Sequence, residues 1–196
     1  SYPFLFTHEG ALYMIPESSA NRTVELWKCV ELPGTWRKVR NIMEGFSAVD
    51  TSLLPWNGKW WMFTNLDQSG LRDNGNELHL FYTDDPINGA WLPHPANPVV
   101  VDARRARMAG GFLKARDGRP VRCCQVQGRR YGEAVAYNLV TELSETRYAE
   151  TPWEEAAPVP LSPRARTHHV SYRDGLVVAD ECHLNWRPAR MLGLSR

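Results

Sequence analysis

An all-β fold built from several small sheets is what this sequence predicts, and three observations carry it. Short apolar or alternating runs are separated by turn residues along most of the chain. Fourteen glycines and fourteen prolines punctuate the 196 residues, and helix formers cluster nowhere with a helical period. A hairpin pattern recurs at intervals of about fifty to sixty residues, a spacing that belongs to radially arranged or stacked β units.

The first element, SYPFLFTHEGALYMIPES, runs from residue 1 to 18 and turns at Gly10. The same order of apolar run, polar turn, glycine and second run returns in AVDTSLLPWNGKWWMFTN (48–65, turning at Gly58) and AGGFLKARDGRPVRCCQV (109–126, turning at Gly118). It returns once more in HHVSYRDGLVVADECHLN (168–185, turning at Gly175). A glycine closing the turn accepts φ > 0 at little steric cost, as a tight hairpin requires. A second unit follows each of the first three hairpins: TVELWKCVELPGTWRKVRNI, NELHLFYTDDPINGAWLPHP and GEAVAYNLVTELSETRYAET. Each is a strand, a polar bend, and an aromatic (Trp36, Trp91 or Tyr148) that opens an outer strand. In Glu25, Trp27 and Cys29 against Val24, Leu26 and Lys28, the strand has two unlike faces. Two hairpins in succession make one four-stranded antiparallel blade.

The sequence therefore predicts a single partial β-propeller over residues 1–196. Its blades cover about 1–45, 46–105 and 106–155, with a half blade at about 165–185 after the proline-rich TPWEEAAPVPLSPRAR. A closed ring needs about four blades or more, so an upstream blade is expected to be missing, and exposed flanks favour a homo-oligomer. In such a ring Trp27, Trp60, Trp61 and Phe63 are expected between blades, since large aromatics dominate β cores.

Composition narrows the function classes. With 23 Lys+Arg against 22 Asp+Glu the formal charge is +1, which argues against a general nucleic-acid or membrane-surface binder. No apolar run is long enough for a membrane helix, and no GxGxxG follows a strand. The chain starts at Ser1, so any leader upstream is unobserved. Cys29, Cys123, Cys124 and Cys182 read as free thiols, which favours a cytoplasmic setting. Cys182-His183, Cys123-Cys124 and His168-His169 lack the spacing of metal ligands, so no metal and no cofactor are expected. The basic run RDGRPVRCCQVQGRR reads as a solvated hairpin edge, or as a contact for a phosphate on a sugar donor.

Several of these stretches together resemble a known family. SYPFLFTHEGALYMIPES, AVDTSLLPWNGKWWMFTN, RMAGG, QVQGRRYGEAV and THHVSYRDGLVVAD stand in the order found in the N-terminal propeller domain of plant glucosamine inositolphosphorylceramide transferases. Similar domains accompany some bacterial formyltransferases. That family resembles the five-bladed propellers of glycoside hydrolase families 43 and 32. The resemblance covers Ser1 to about Asp180. Matched features are Tyr2-Pro3-Phe4, Pro16-Glu17, Asp50-Thr51, Trp60-Trp61 with Phe63-Thr64, Arg107 with Gly110, Gln125, Tyr131-Gly132 and Thr167-His168. Arg122-Cys123-Cys124-Gln125 stands where members commonly read Arg-Pro-Ala-Gln, and His168-His169 where they read His-Thr. Nothing matches the members' Asp-Pro-Phe stretch. The aspartate of a related first blade is a key acid or base in the hydrolases, so the resemblance implies a binding or accessory module ahead of a complete hydrolase.

The radial geometry names the candidate site. Glycoside hydrolysis uses two carboxyl groups about 5–10 Å apart. Glu17, ending the second strand, and Asp50, starting the second blade, are the candidate catalytic pair, although Asp50 could equally be a strand-start residue held by backbone N–H groups. Arg107 could pair with either acid, and His168 and His169 come from the half blade. Tyr2, Gln125 and Tyr131 complete the candidate substrate-binding set. The expected partner is a carbohydrate or sugar-linked small molecule. Three readings follow: a glycan-binding or accessory module, a glycoside hydrolase, and a structural fragment without either activity.

Overall fold

The computed structural model describes residues 2–67, 74–127, 132–154, 166–173 and 176–181. Over these residues the protein is β-structure with one short 3₁₀ turn at Ser19–Asn21. The first sheet is an antiparallel meander of β1 (Phe4–His8), β2 (Ala11–Ile15), β3 (Thr23–Glu31) and β4 (Thr35–Glu44). The second orders β5 (Ser47–Trp56), β6 (Lys59–Asp67), β7 (Glu77–Thr83) and β8 (Leu92–Pro93), with a short β9 (Val100–Val101) also on β7. The third runs outward through β10 (Met108–Lys114), β11 (Pro120–Val126), β12 (Ala134–Leu143) and β13 (Tyr148–Pro152). A last hairpin, β14 (Val170–Arg173) with β15 (Leu176–Ala179), joins the inner side of the third sheet through a parallel bridge, Gly110 to Val170. Trp36, Trp91 and Tyr148 do stand at or just before β4, β8 and β13.

The hairpin turns form where their glycines predicted. Gly10, Gly58 and Gly118 all have positive φ, while Gly175 lies outside the described residues. Strand pairing then places the period-two alternation on two faces. In the second sheet Leu53, Met62 and Phe81 point toward the first sheet, where Phe6, Tyr13, Ile15 and Leu26 meet them. Their neighbours Leu54, Trp61, Phe63 and Leu80 point the other way and pack with Met108, Val140 and Leu143 of the third. The apolar cores therefore lie between sheets. Each fully buried side chain of this size contributes about 1.5–3 kcal/mol. A typical neutral hydrogen bond contributes about 1 kcal/mol net, so one such side chain outweighs one such bond.

Trp60 and Trp61 pack between sheets as expected. Trp27 does not belong to either core: it is half-buried and its indole N–H donates to Glu25 Oε2 at 3.0 Å. The basic run also needs correction. Arg116 and Arg119 are exposed, but Arg122 is fully buried in β11 and forks onto Glu150 of β13 at 2.7 and 2.8 Å. A two-residue period sends one basic side chain inward, and a carboxylate two strands away receives it. Cys123 and Cys124 alternate likewise. Both are buried free thiols, and burial pushes the Cys123 thiol up to about 12, where it is unreactive at neutral pH.

Candidate functional site

β1, β5 and β10 are the innermost strands of the three meanders, β14 lies beside β10, and side chains at or near their starts meet. Ser52 on β5 donates to the Gly110 carbonyl of β10 at 3.0 Å. The Tyr2 ring, just before β1, stacks on His169, just before β14, with centroids 4.6 Å apart. Four stretches far apart in sequence thus share one axis.

Asp50 is the hub. It is almost fully buried, and its backbone takes φ +51, a left-handed conformation that costs a non-glycine residue about 1–2 kcal/mol. A β-bulge between Val49 and Ser52 accompanies it. This bend aims the Asp50 N–H at Glu17 Oε2, 3.3 Å away, and leaves the carboxylate to three donors. Arg107 Nε donates to Oδ2 at 2.6 Å and Gln125 Nε2 to the same oxygen at 3.3 Å. His169 Nε2 lies 3.1 Å from Oδ1; an ionised carboxylate only accepts, so this nitrogen carries the hydrogen. Burial pushes the carboxyl upward, but the His169 hydrogen bond and the Arg107 charge outweigh it and hold Asp50 below the ordinary aspartate value.

Glu17 follows the last residues of β2, and only one of its oxygens is engaged by the Asp50 N–H. Oε1 is buried and has no protein partner among the described residues. Gln125 is anchored by donating also to the Met108 carbonyl at 2.9 Å. Burial pushes the Tyr2 hydroxyl up, so it stays protonated. Tyr2 also borders an axial cavity of about 390 Å³ that continues between Leu53, Phe112 and Tyr172.

The structure thus brings together six of the eight residues that the sequence singled out: Tyr2, Glu17, Asp50, Arg107, Gln125 and His169. The His168 Nδ1 pairs with Asp180, and its ring meets His169 edge-on. Tyr131 lies outside the described residues, as does the Cys182-His183 pair. The residue that sequence reasoning missed is Asp180. Its Oδ1 accepts the backbone N–H groups of His168 and His169 at 3.1 and 2.7 Å, fixing the turn that presents His169. Burial lowers the His168 pKa against the opposing pull of Asp180, favouring the neutral ring.

Chemically this is an anchored carboxylate hub beside an unsatisfied carboxylate oxygen. Asp50 spends three of its roughly four acceptor positions on protein donors. A general acid needs a pKa raised toward the working pH, and Asp50 is moved the other way.

Comparison with known proteins agrees with this architecture. The chain is 29% identical over 154 residues to glucosamine inositolphosphorylceramide transferase 1 of Oryza sativa subsp. japonica, covering 78% of the chain and 20% of that protein. It is 30% identical over 153 residues to the Arabidopsis thaliana protein of the same name, covering 76% of the chain and again 20% of the relative. The chain thus spans about a fifth of the length of these relatives. Among solved structures, native Bacillus subtilis arabinanase Arb43A superposes with a TM-score of 0.57 at 12% identity, over 89% of this chain and 62% of that one. The RS223 β-xylosidase gives 0.58 at 13% identity, over 89% and 68%. At such low identity these likenesses show the fold alone: an all-β partial propeller. The family model of the glucosamine inositolphosphorylceramide transferase 1 N-terminal domain matches residues 1–170, and the chain belongs to that family.

Proposed function

We propose that this chain is a glycan-binding module, accessory to a sugar-modifying enzyme. The observation that carries the reading is Glu17 Oε1, a buried carboxylate oxygen with no protein partner among the described residues, beside the Asp50 hub. A buried acceptor left open loses about 1–3 kcal/mol, which a ligand hydroxyl restores. Tyr2, stacked on His169, supplies an aromatic surface at the same place. The names of the relatives and of the superposable enzymes, which speak of sugar chemistry, support the reading. Binding is favoured over hydrolysis because Asp50, held below the ordinary aspartate value, does not suit the general-acid role, and three of its roughly four acceptor positions are taken by protein donors.

The test is calorimetric titration with xylotriose, arabinotriose and methyl glucosaminide. Binding to at least one is expected, and Glu17→Gln should weaken it about tenfold or more, the loss of one hydrogen bond to a charged group. Affinity untouched by Glu17→Gln contradicts the site. Turnover of aryl glycosides that both Glu17→Gln and Asp50→Asn abolish would instead establish a hydrolase.

A further inference from the structure

A second cavity, of about 400 Å³, opens between the first and second sheets, away from the axial cavity. Its wall holds three aromatic rings, Phe46, Phe81 and Trp91, and three polar side chains, Glu44, His79 and Asn97. We infer that this cavity is a second carbohydrate subsite, taking a neutral or amine-bearing sugar ring. The inference extends the glycan-binding reading but stands on different residues.

Phe46, between β4 and β5, leaves 41% of its surface exposed beside this cavity. An exposed aromatic face at the lip of a cavity suits the apolar C–H face of a pyranose or furanose ring. Trp91 supplies the polar counterpart. Its indole Nε1 is buried and finds no acceptor among the described residues. An indole N–H can only donate, so a ligand that reaches it has to offer an acceptor. Glu44 gives the complementary acceptor: Oε1 takes the Asn41 amide at 2.6 Å, and Oε2 is left for a ligand hydroxyl. Asn97 is already committed, exchanging both amide bonds with the Leu80 backbone at 2.8 Å, and holds the wall rigid.

One donor and one acceptor flanking an aromatic surface match a polyhydroxylated ring, whose hydroxyls do both. Charge sets the class further. Burial lowers the His79 pKa, keeping the imidazole neutral at physiological pH, and Glu44 is the charged group in the wall. Uronates, sulfated sugars and phosphates are therefore disfavoured. Phe46 precedes Asp50 by four residues, so at about 3.4 Å per residue the two backbones lie within about 14 Å of one another. A single oligosaccharide can reach from one site to the other.

The experiment is a ¹⁵N-resolved NMR titration of the whole chain with xylotriose, methyl glucosaminide and methyl glucuronide up to 20 mM. It follows the Trp91 indole signal and the Gln125 side-chain amide together, with resonances assigned by Trp91→Phe and Gln125→Glu. The Trp91 indole should move with one or both of the first two sugars and stay in place with the glucuronide. Phe46→Ala, an exposed change that keeps the fold, should weaken the effect fivefold or more. Movement at Gln125 with none at Trp91 overturns the second subsite and leaves the channel reading intact. Movement at Trp91 with none at Gln125 sustains the subsite and removes the channel. An equal response to the glucuronide contradicts the stated class. Silence at both positions with all three sugars overturns both.

Discussion

Gly110→Ala should detach the last hairpin from the ring. A Cβ at this position would come 2.0 Å from the Val170 carbonyl oxygen and 3.0 Å from its carbon, both backbone atoms that cannot rotate aside. The φ of +124 adds strain for any other residue. β10 and β14 touch through this one bridge, so the cheapest relief is for β14 to move away. That takes His169 off Asp50 and off Tyr2. Backbone strain of about 1–3 kcal/mol joins the loss of a charge-assisted hydrogen bond worth about 1.5–3 kcal/mol, so a total of about 2.5–6 kcal/mol is expected. Hydrogen exchange reads it directly: the Val170 and His169 amides should lose protection while the β6 amides keep theirs. Gly118→Ala is the control, because its φ is also positive but its Cβ would meet nothing within 4 Å, and it should cost only about 1–2 kcal/mol. Unchanged β14 protection in Gly110→Ala would mean that the two inner strands do not approach as described.

Arg122→Met is expected to be comparably damaging for a different reason. The guanidinium is fully buried, donates to both Glu150 oxygens, and caps the Arg105 carbonyl at 2.7 Å. Tyr148 adds its hydroxyl to Glu150 Oε2 at 2.6 Å. Removing one partner of a buried ion pair strands the other charge and costs about 3–5 kcal/mol. Chemical denaturation should show that loss in Arg122→Met. The double variant Arg122→Met/Glu150→Leu should recover most of it, since an apolar pair leaves no stranded charge. A single variant within about 1 kcal/mol of the parent would show that Glu150 reaches water.

Hairpins were legible in the sequence because their determinants are local. Gly10, Gly58 and Gly118 mark turns whose φ only glycine adopts cheaply. The site was legible because a repeating unit places equivalent residues at equivalent radii. Arg107 and His169 each precede an inner strand and Asp50 lies near the start of another, at its bulge, and packing the sheets together makes them neighbours. Asp180 was not legible, because it works by accepting backbone N–H groups, a role that any acid near a turn could fill and that leaves no pattern in side-chain types. Arg122 was misread for a related reason: its burial depends on Glu150, two strands away, and no local window contains both. Trp27 was misread because Glu25 on the same strand offers its indole a closer partner than the neighbouring sheet.

The most direct measurement of the central claim, that inner strands converge on one buried carboxylate, is the pH titration of the Asp50 side-chain carboxyl carbon by NMR in the intact chain. His169 and Arg107 hold the folded-state pKa below the unfolded value of about 3.9. The stability this supplies is complete above the unfolded value and is lost as pH falls through the depressed folded one. The predicted result is a midpoint below the ordinary aspartate value, moving upward in Arg107→Gln. A midpoint at or above the ordinary range, indifferent to Arg107→Gln, would mean that the strands do not meet at Asp50.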